Sequence, residues 1–488
     1  MEINELTPAE RRVWRAFATG ATVDFRNRDG DGDDGGEWGA ERTVRAAVLR
    51  ALLLNGPAEP EEVAALKVLG ARITGELDLR YAVVEQVIRL NYCRFEETPR
   101  FAGAQLPYLN LRDSVLPGLA AARARIDGSL RLTRCRIGGQ VRLGGTQISG
   151  ALFLDHAEVT GDGGPLPALA LNQLSVDDDL CARGLKVRGM IRLDGARIAG
   201  SVDLEEAELS HPGANVVQAE ALEVGANLVA RRLRATGRID LRGARVPGRI
   251  DLLDCTLANP GGTALRASSC VIGELWLRKG APVEGMLNLR ATEIGQLNLA
   301  PEKLPDQVRL LDLTYTFLTP HAPAEARLPM LERDDSFTPF DPHAYEQLTA
   351  AYRRTGDDTS ARRVQLAKQR RHRRTLPWYG RLWGHVQDVT VGYGFRPLRA
   401  GVWLLSLLAA GSLAFAHHHP APLKPGESPQ FDPVFYTLDL LLPVISFGQE
   451  GAFAPTGVYR TLSYILIVTG WILATTVVTG VTRTVSRQ

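Results

Sequence analysis

From about Gly70 to Leu299, apolar residues return at every second position and are interrupted by a regular three-residue step. Gly128, Gly139, Gly150 and Gly161 stand eleven residues apart, and the units between them read GSLRLTRCRIG, GQVRLGGTQIS and GALFLDHAEVT. The frame is G-x-h-x-h-x-x-s-x-h-x, with h aliphatic and s small. It recurs at Gly189, Gly200, Gly237 and Gly248, and earlier as Leu77, Leu79, Ala82, Val84 followed by Ile88, Leu90, Cys93, Phe95. Between about Glu96 and Gly128 the register slips by a residue.

Side chains two apart share a face only on a β-strand, so the pattern predicts short strands, and the three-residue step predicts a corner. Such strands cannot bury one face alone, whereas stacked coils can, which predicts a parallel β-solenoid. If two units make a coil, about ten coils spaced by about 4.8 Å give a rod of about 50 Å; the pattern leaves the number of units per coil open. Inward positions hold Leu, Ile, Val, Ala and Cys, which suits a narrow interior without room for a cofactor. Outward positions such as Arg131, Arg142, Asp203, Asp240 and Asp251 mix signs, as on a solvated face, with a charged docking surface as the alternative.

Before the repeats, TPAERRVWRAFATG and ERTVRAAVLRALLLNG predict two short helices, the first opened by Thr7 with Glu10 as a capping box. The acidic DGDGDDGGE between them fails as an EF-hand loop, because a frame starting at Asp29 puts Asp34 and Ala40 where Gly and Glu are needed. After the repeats, DPHAYEQLTAAYRRTG and DTSARRVQLAKQRRHRR predict a helical hairpin of tetratricopeptide type, with Asp341 and Pro342 at its start and Gly356 at its turn.

Twelve Lys/Arg against three acids fill Arg353 to Arg399. Beyond them Gly401 to Ala416 is apolar for sixteen residues, and Leu462 to Val481 runs twenty residues without a charge. These two stretches are expected to be transmembrane helices. The loop 417–459 carries one Lys and four acids while Arg483 and Arg487 follow the second stretch, which predicts a multi-pass protein of the cell membrane with both termini cytoplasmic. Arg370, Arg371, Arg373, Arg374, Arg396 and Arg399 then face the lipid headgroups of the bilayer.

The fold class expected is therefore mainly β: a parallel β-solenoid of 11-residue repeats, with short N-terminal helices, a helical hairpin and two transmembrane helices. The boundaries expected are an N-terminal helical cap over 1–60, a cytoplasmic solenoid over 61–315, a hairpin and basic segment over 316–397, and a two-span domain over 398–488. The 488-residue length allows two or three domains, and a net charge of +2 says little about partners because the basic excess is local.

The string TVGYG, Thr390 to Gly394, matches a potassium filter. It precedes the first apolar stretch without a pore helix, and Gly392, Gly394, Tyr393, Phe395 and Pro397 suit an elbow entering the membrane instead. Within the loop, FDPVFYTLDLLLPVISFGQEGAF is too short to span and is broken by Asp439 and Pro443, which fits a re-entrant segment over 434–450. This region resembles the two-transmembrane ion-channel-like domain found behind pentapeptide-type repeats in bacteria. The resemblance implies a pore lined by Ser446, Phe447, Gly448 and Gln449 with Glu450 at its mouth, although Ser446 stands where a filter has glycine. The whole arrangement, RTVRAAVLRALLL, the repeats, then GYGFRPLRA, also resembles an actinobacterial family labelled membrane-associated oxidoreductases.

That label finds no GxGxxG after a strand, no CxxC and no CxxCH. The five cysteines, Cys93, Cys135, Cys181, Cys255 and Cys270, take small-apolar positions, Cys181 included, and read as core thiols of a reducing compartment. HHHP at His417 to His419 reads as solvated imidazoles rather than a metal site. No signal-peptide apolar core opens the chain. No catalytic set, cofactor or metal is expected, and no nucleic-acid partner. The reading is a solenoid that senses or docks an unknown cytoplasmic protein or ligand and biases a homo-oligomeric pore. The alternative is a non-conducting scaffold anchored in the membrane, and the third reading is the oxidoreductase of the family label.

Overall fold

The computed structural model describes residues 5–26, 38–57, 62–161, 164–334, 340–391, 397–424, 429–442 and 445–485. They divide into two compact units, 1–337 and 338–488. The first is a parallel β-solenoid of about twelve turns, built from a nineteen-stranded and a sixteen-stranded sheet.

Each predicted three-residue step is a four-residue turn. At Leu132 to Cys135 the Cys135 N–H donates to the Leu132 carbonyl at 3.1 Å, and Arg134 takes a φ of 54°. A left-handed non-glycine residue costs about 1–2 kcal/mol, yet fifteen such residues are found among the described ones. Their N–H groups stitch one coil to the next: Asp113 donates to Thr133 at 2.9 Å, Arg134 to Asp155 at 2.8 Å and His156 to Arg183 at 2.7 Å. A bend between corners continues the same sheet, so each unit turns one corner and gives a strand to each sheet, and two units make one coil. Arg125 pairs with Gln147, 22 residues on. The register slip is real: Ile88 pairs with Leu109 and Leu109 with Leu130, both 21 residues apart.

The corners have a side-chain grammar of their own. A carboxylate or amide three residues before the left-handed position accepts from the backbone N–H two residues on: Asn110 from Arg112 N at 3.0 Å, Asp240 from Arg242 N at 3.1 Å, Asp251 from Leu253 N at 3.2 Å. Asp240 and Asp251 are therefore not part of a solvated face; they are 2% and 1% exposed. The small residue closing the turn lies inside and donates to the preceding coil: Ser114 Oγ to Leu90 O at 2.9 Å, Thr146 Oγ1 to Ala121 O at 2.7 Å, Cys135 Sγ to Leu111 O at 2.9 Å, Cys270 Sγ to Leu241 O at 3.0 Å. Between corners the buried ladder Leu109, Leu130, Leu152, Leu180, Val202, Leu228 fills the interior, each side chain contributing about 1.5–3 kcal/mol by burial.

The N-terminal segment completes the first coil. Val23–Asp24 pairs with Val68–Leu69, and Thr43–Arg45 with Arg72–Thr74. Helix α1 (Pro8–Ala18) opens with the predicted Thr7/Glu10 capping box, and α2 (Ala46–Asn55) buries Val48, Leu49 and Leu52. Glu10, fully buried, also receives Arg45 Nε at 2.7 Å and Arg45 N at 3.0 Å. At the other end, α3 (Ala324–Glu332) brings Arg327 under the last coil, where its Nη2 donates to Pro320 O at 2.6 Å. Lys303, also buried, donates to Cys255 O at 3.0 Å and to Ala281 O.

The second unit holds α4 (Pro342–Arg354), α5 (Asp358–Thr375), α6 (Trp378–Val391), α7 (Pro397–His417), α8 (Pro433–Leu441) and α9 (Val458–Val485). Helices α4 and α5 form the expected hairpin, capped by Asp341 and Asp357 and turned at Gly356, whose φ is 77°. Helices α7, α8 and α9 meet around Phe415, Tyr436, Leu441, Phe453 and Leu466, while Val402, Leu405, Leu413, Ile465 and Val468 are exposed.

The expectation of two transmembrane helices is overturned: among the described residues no helix is long and apolar enough to cross a membrane. A span needs about 20 apolar residues. The apolar run of α7 stops at sixteen, and α9 interleaves Thr461, Ser463, Thr469 and Gly470 with its apolar positions. The fold class is a mainly β parallel solenoid with helices, none of them a span among the described residues, and the multi-pass cell-membrane placement that rested on two spans falls with it.

Two outcomes follow from these packing roles. Cys135→Ser, which recreates the Ser114 arrangement, should change unfolding stability by under about 1 kcal/mol, whereas Cys135→Leu should cost about 2–3 kcal/mol through overpacking, as read by chemical denaturation. Burial would raise the Glu10 carboxyl, but Arg45 and the two backbone N–H groups outweigh it and lower it to about 2. Its stabilisation is then complete above its ordinary value of 4.5 and is lost as pH falls from there towards 2. Glu10→Gln should remove up to about 3 kcal/mol of stability at neutral pH and flatten that acid limb of the stability curve.

Candidate docking surface

The outward residue that follows the closing residue of every second corner forms a straight row up one sheet, because the coils stack in register. Arg72, Arg94, Val115, Arg136, Glu158, Lys186, Glu208 and Arg234 occupy consecutive coils. Two residues on, Thr160, Arg188, Ser210 and Thr236 form a second row. The rows floor two open grooves of about 650 and 660 Å³, which share Glu158 and Thr160 and so run together from Arg72 to Thr236.

Charges in the groove pair along the row. Lys186 Nζ lies 3.5 Å from Glu158, Arg234 Nη1 3.2 Å from Glu208, and Arg72 bonds Glu96. Each side chain here is a third or more exposed, so each pair is worth under about 1 kcal/mol. Such pairs hold the side chains in place without committing them.

The opposite sheet carries exposed pairs too, such as Arg197 with Glu223 at 3.1 Å, but several of its cations are held by rings or by a buried acid. Arg131 lies over Phe153 at 3.7 Å and Arg249 over Trp276 at 4.0 Å, Trp276 Nε1 donates to Glu274 at 2.9 Å, and Arg231 binds buried Asp251 at 2.7 Å. Guanidiniums stacked on rings and locked to buried carboxylates have less to offer a partner.

The residues expected to line a pore do come together, but as a folded loop. Asp439 on α8, 4% exposed, accepts from the backbone N–H groups of Phe447, of Gln449 at 2.7 Å and of Glu450 at 3.1 Å. Gln449 is buried and donates to Gln430 O at 3.0 Å, while Ser446, Phe447, Gly448 and Glu450 are exposed. Gly448 takes a φ of 78° and Phe447 packs against Phe435 at 5.4 Å. The three N–H groups converge on one carboxylate, which holds the loop against α8.

Of the expected lipid-facing arginines, Arg370, Arg371, Arg373 and Arg374 lie in the last turns of α5. Arg396 is outside the described residues, as are Gly392, Tyr393, Gly394 and Phe395 of the TVGYG region; Arg399 lies in α7.

The three histidines each take a separate partner. His417 Nδ1 lies 2.9 Å from Leu413 O, His418 stacks on Tyr459 at 4.6 Å, and His419 meets Phe431 at 5.2 Å. Among the described residues no group of three or more His, Cys, Asp or Glu side chains could hold a metal ion. Burial pushes the Cys93 and Cys135 thiols up to about 12 and those of Cys181, Cys255 and Cys270 to about 11. At neutral pH these groups are protonated and unreactive as nucleophiles.

No family model, no curated protein and no solved structure matches the chain. The solenoid stands on its own geometry, and the resemblances to the channel-like and oxidoreductase families gain no support.

The loop's dependence on one carboxylate is measurable. Asp439→Ala should leave three inward N–H groups without their acceptor, costing about 2–4 kcal/mol locally. Amide exchange at Phe447, Gln449 and Glu450 should accelerate by tenfold or more while the solenoid amides keep their rates; unchanged exchange at those three would mean that the loop is held by something else.

Proposed function

We propose that the solenoid is a docking scaffold, and that an extended segment of a protein partner lies along the groove between Arg72 and Thr236. The observation that carries this reading is the continuous double row of side chains on a face whose ion pairs are weak. A partner's carboxylates and ammonium groups can replace Glu158, Lys186 or Glu208 as the neighbour of each charge at little net cost. The hydroxyls of Thr160, Ser210 and Thr236 add hydrogen-bonding groups at the spacing of the coils. A rigid parallel stack also presents these groups without an ordering cost on binding, which favours recognition of a flexible segment.

The interior supports a scaffold rather than a reaction chamber. It is filled by aliphatic side chains, and its polar members are spent on corners: Ser114, Thr146 and Cys135 each donate to a backbone carbonyl.

A photo-crosslinking amino acid placed at Thr160 or Thr236 in the full chain, in the cells that make it, should give one adduct of defined mass. The same probe at Ser175, on the other sheet, should not. Combining Arg136→Glu with Lys186→Glu should lower the yield at Thr160 about tenfold. Equal labelling from Ser175, or a yield indifferent to the charge reversals, would remove the groove from consideration.

A further inference from the structure

The groove carries two periods that coincide. Along its row, Arg94, Arg136, Lys186 and Arg234 stand on every second coil, and the coils between them carry Val115, Glu158 and Glu208. Coils stack about 4.8 Å apart, so a base returns about every 9.6 Å. The buried ladder of Leu130, Leu152, Leu180 and Val202 is aliphatic in every coil and sets no such period.

The chain beside the second row repeats at the same interval. The strand Arg234–Asp240 has 7 residues, whereas Glu208–Gln218 and Thr256–Arg266 on the coils either side have 11. Their extra residues bulge from the ladder between Ser210 and Asn215 and between Ala258 and Thr263. The two bulges are built alike. His211 Nδ1 lies 2.8 Å from Asn215 O, Asn259 Nδ2 donates to Thr263 O at 2.8 Å, and Gly213 and Gly261 take φ of 75° and 73°. Each bulge leans on the next coil, where a side chain at Gly237 or Gly285 would strike the carbonyl of His211 or Asn259. Pro212 with Gly213 and Pro260 with Gly261 form the exposed tips.

A ligand that follows both periods must itself repeat about every 9.6 Å. Polyproline II rises about 3.1 Å per residue with three residues per turn, a repeat of about 9.3 Å. Over the coils from Arg94 to Arg234 the two repeats drift apart by about 1 Å. An extended strand returns a side chain to one face about every 6.7 Å, and two turns of α-helix advance about 10.8 Å, so both lose register within that length.

Resting on the reading of the groove as a docking site for an extended partner segment, we propose that the occupant is a polyproline II segment with a carboxylate at every third residue. One carboxylate meets each of Arg94, Arg136, Lys186 and Arg234. The reverse choice, a cation at every third residue, finds only Glu158 and Glu208 along these coils. Those two acids are the present partners of Lys186 and Arg234, at 3.5 and 3.2 Å, in exposed pairs that an incoming carboxylate replaces at little cost. Polyproline II has no internal hydrogen bonds to give up and is already extended, so docking it costs little ordering entropy.

The test is fluorescence anisotropy of the full chain with labelled peptides of about six three-residue repeats. Pro-Pro-Glu repeats should bind at least about tenfold more tightly than an isomer of the same composition whose glutamates fall alternately two and four residues apart. They should also outbind Pro-Pro-Lys repeats, and added salt should weaken them. Lys186→Glu combined with Arg234→Glu should lower the affinity for Pro-Pro-Glu about tenfold and raise that for Pro-Pro-Lys, a gain that a misfolded variant does not show. Equal affinity for the two glutamate isomers, or a double variant that binds like the parent, would overturn the proposal. The photo-crosslinked partner separates this failure from that of the groove. An adduct at Thr160 that maps to a segment without an acid at every third residue removes the polyproline II occupant and leaves the docking site, whereas the absence of any adduct removes both.

Discussion

The left-handed corner is the constraint on which the solenoid depends. Fifteen non-glycine residues accept a conformation that costs each of them about 1–2 kcal/mol in isolation. Thirteen of them give their N–H to a carbonyl one coil away, as Arg134 does to Asp155 and His156 to Arg183, and this holds the conformation. The turn also fixes what can follow it. Its closing residue is folded into the bend, so only Ala, Ser, Thr, Cys or an occasional Leu fits, and when it carries a donor, that donor finds the carbonyl one coil back. Cys93, Cys135, Cys255 and Cys270 thus take the place of Ser114 and Thr292, and their raised thiol pKa values are a by-product of place; Cys181 instead lies half-buried on a strand, at the outward position between Phe153 and Asp203, and is not the core thiol expected.

Much of this was legible in the chain because the periodicity and the corner are local. Leu130, Leu132, Cys135 and Ile137 report strand, turn and strand within eight residues. What the pattern leaves open is which units share a face, and the groove lies there. Arg136 and Glu158 are neighbours only because two units make a coil, and nothing inside a single unit encodes that number. Six of the eight residues of the row were visible as the position after a small residue, Lys186 and Arg234 following leucines, but without the coil length the row was a scatter of charges. The same gap explains Asp240 and Asp251: an acidic residue at an outward parity looks solvated until the turn two residues later claims its oxygen.

The helical region was harder to read, for a different physical reason. Apolar stretches of sixteen to twenty residues lie near the length at which a core helix and a span cannot be told apart by hydropathy. The short segment after α8 has the composition of a pore loop, and the feature that decides its structure, Asp439, lies eight residues before Phe447. A buried carboxylate gathers three N–H groups and folds the segment back onto α8. The phenylalanine–glycine pair that invited the comparison is there for the loop's own geometry, with Gly448 supplying the positive φ.

The interior and the faces of the solenoid answer different demands. Inside, every side chain is fixed by its neighbours in the coils above and below, so a change at one level is felt at three. Outside, the backbone ladder alone sets position, and the side chain is chosen almost freely at each level. A face can therefore alternate sign from Arg136 through Glu158 and Lys186 to Glu208 without disturbing a single buried contact. This separation lets a repeat of small and aliphatic residues carry an outward row whose order owes nothing to folding, which makes the charge order in the groove the part of this solenoid freest to vary.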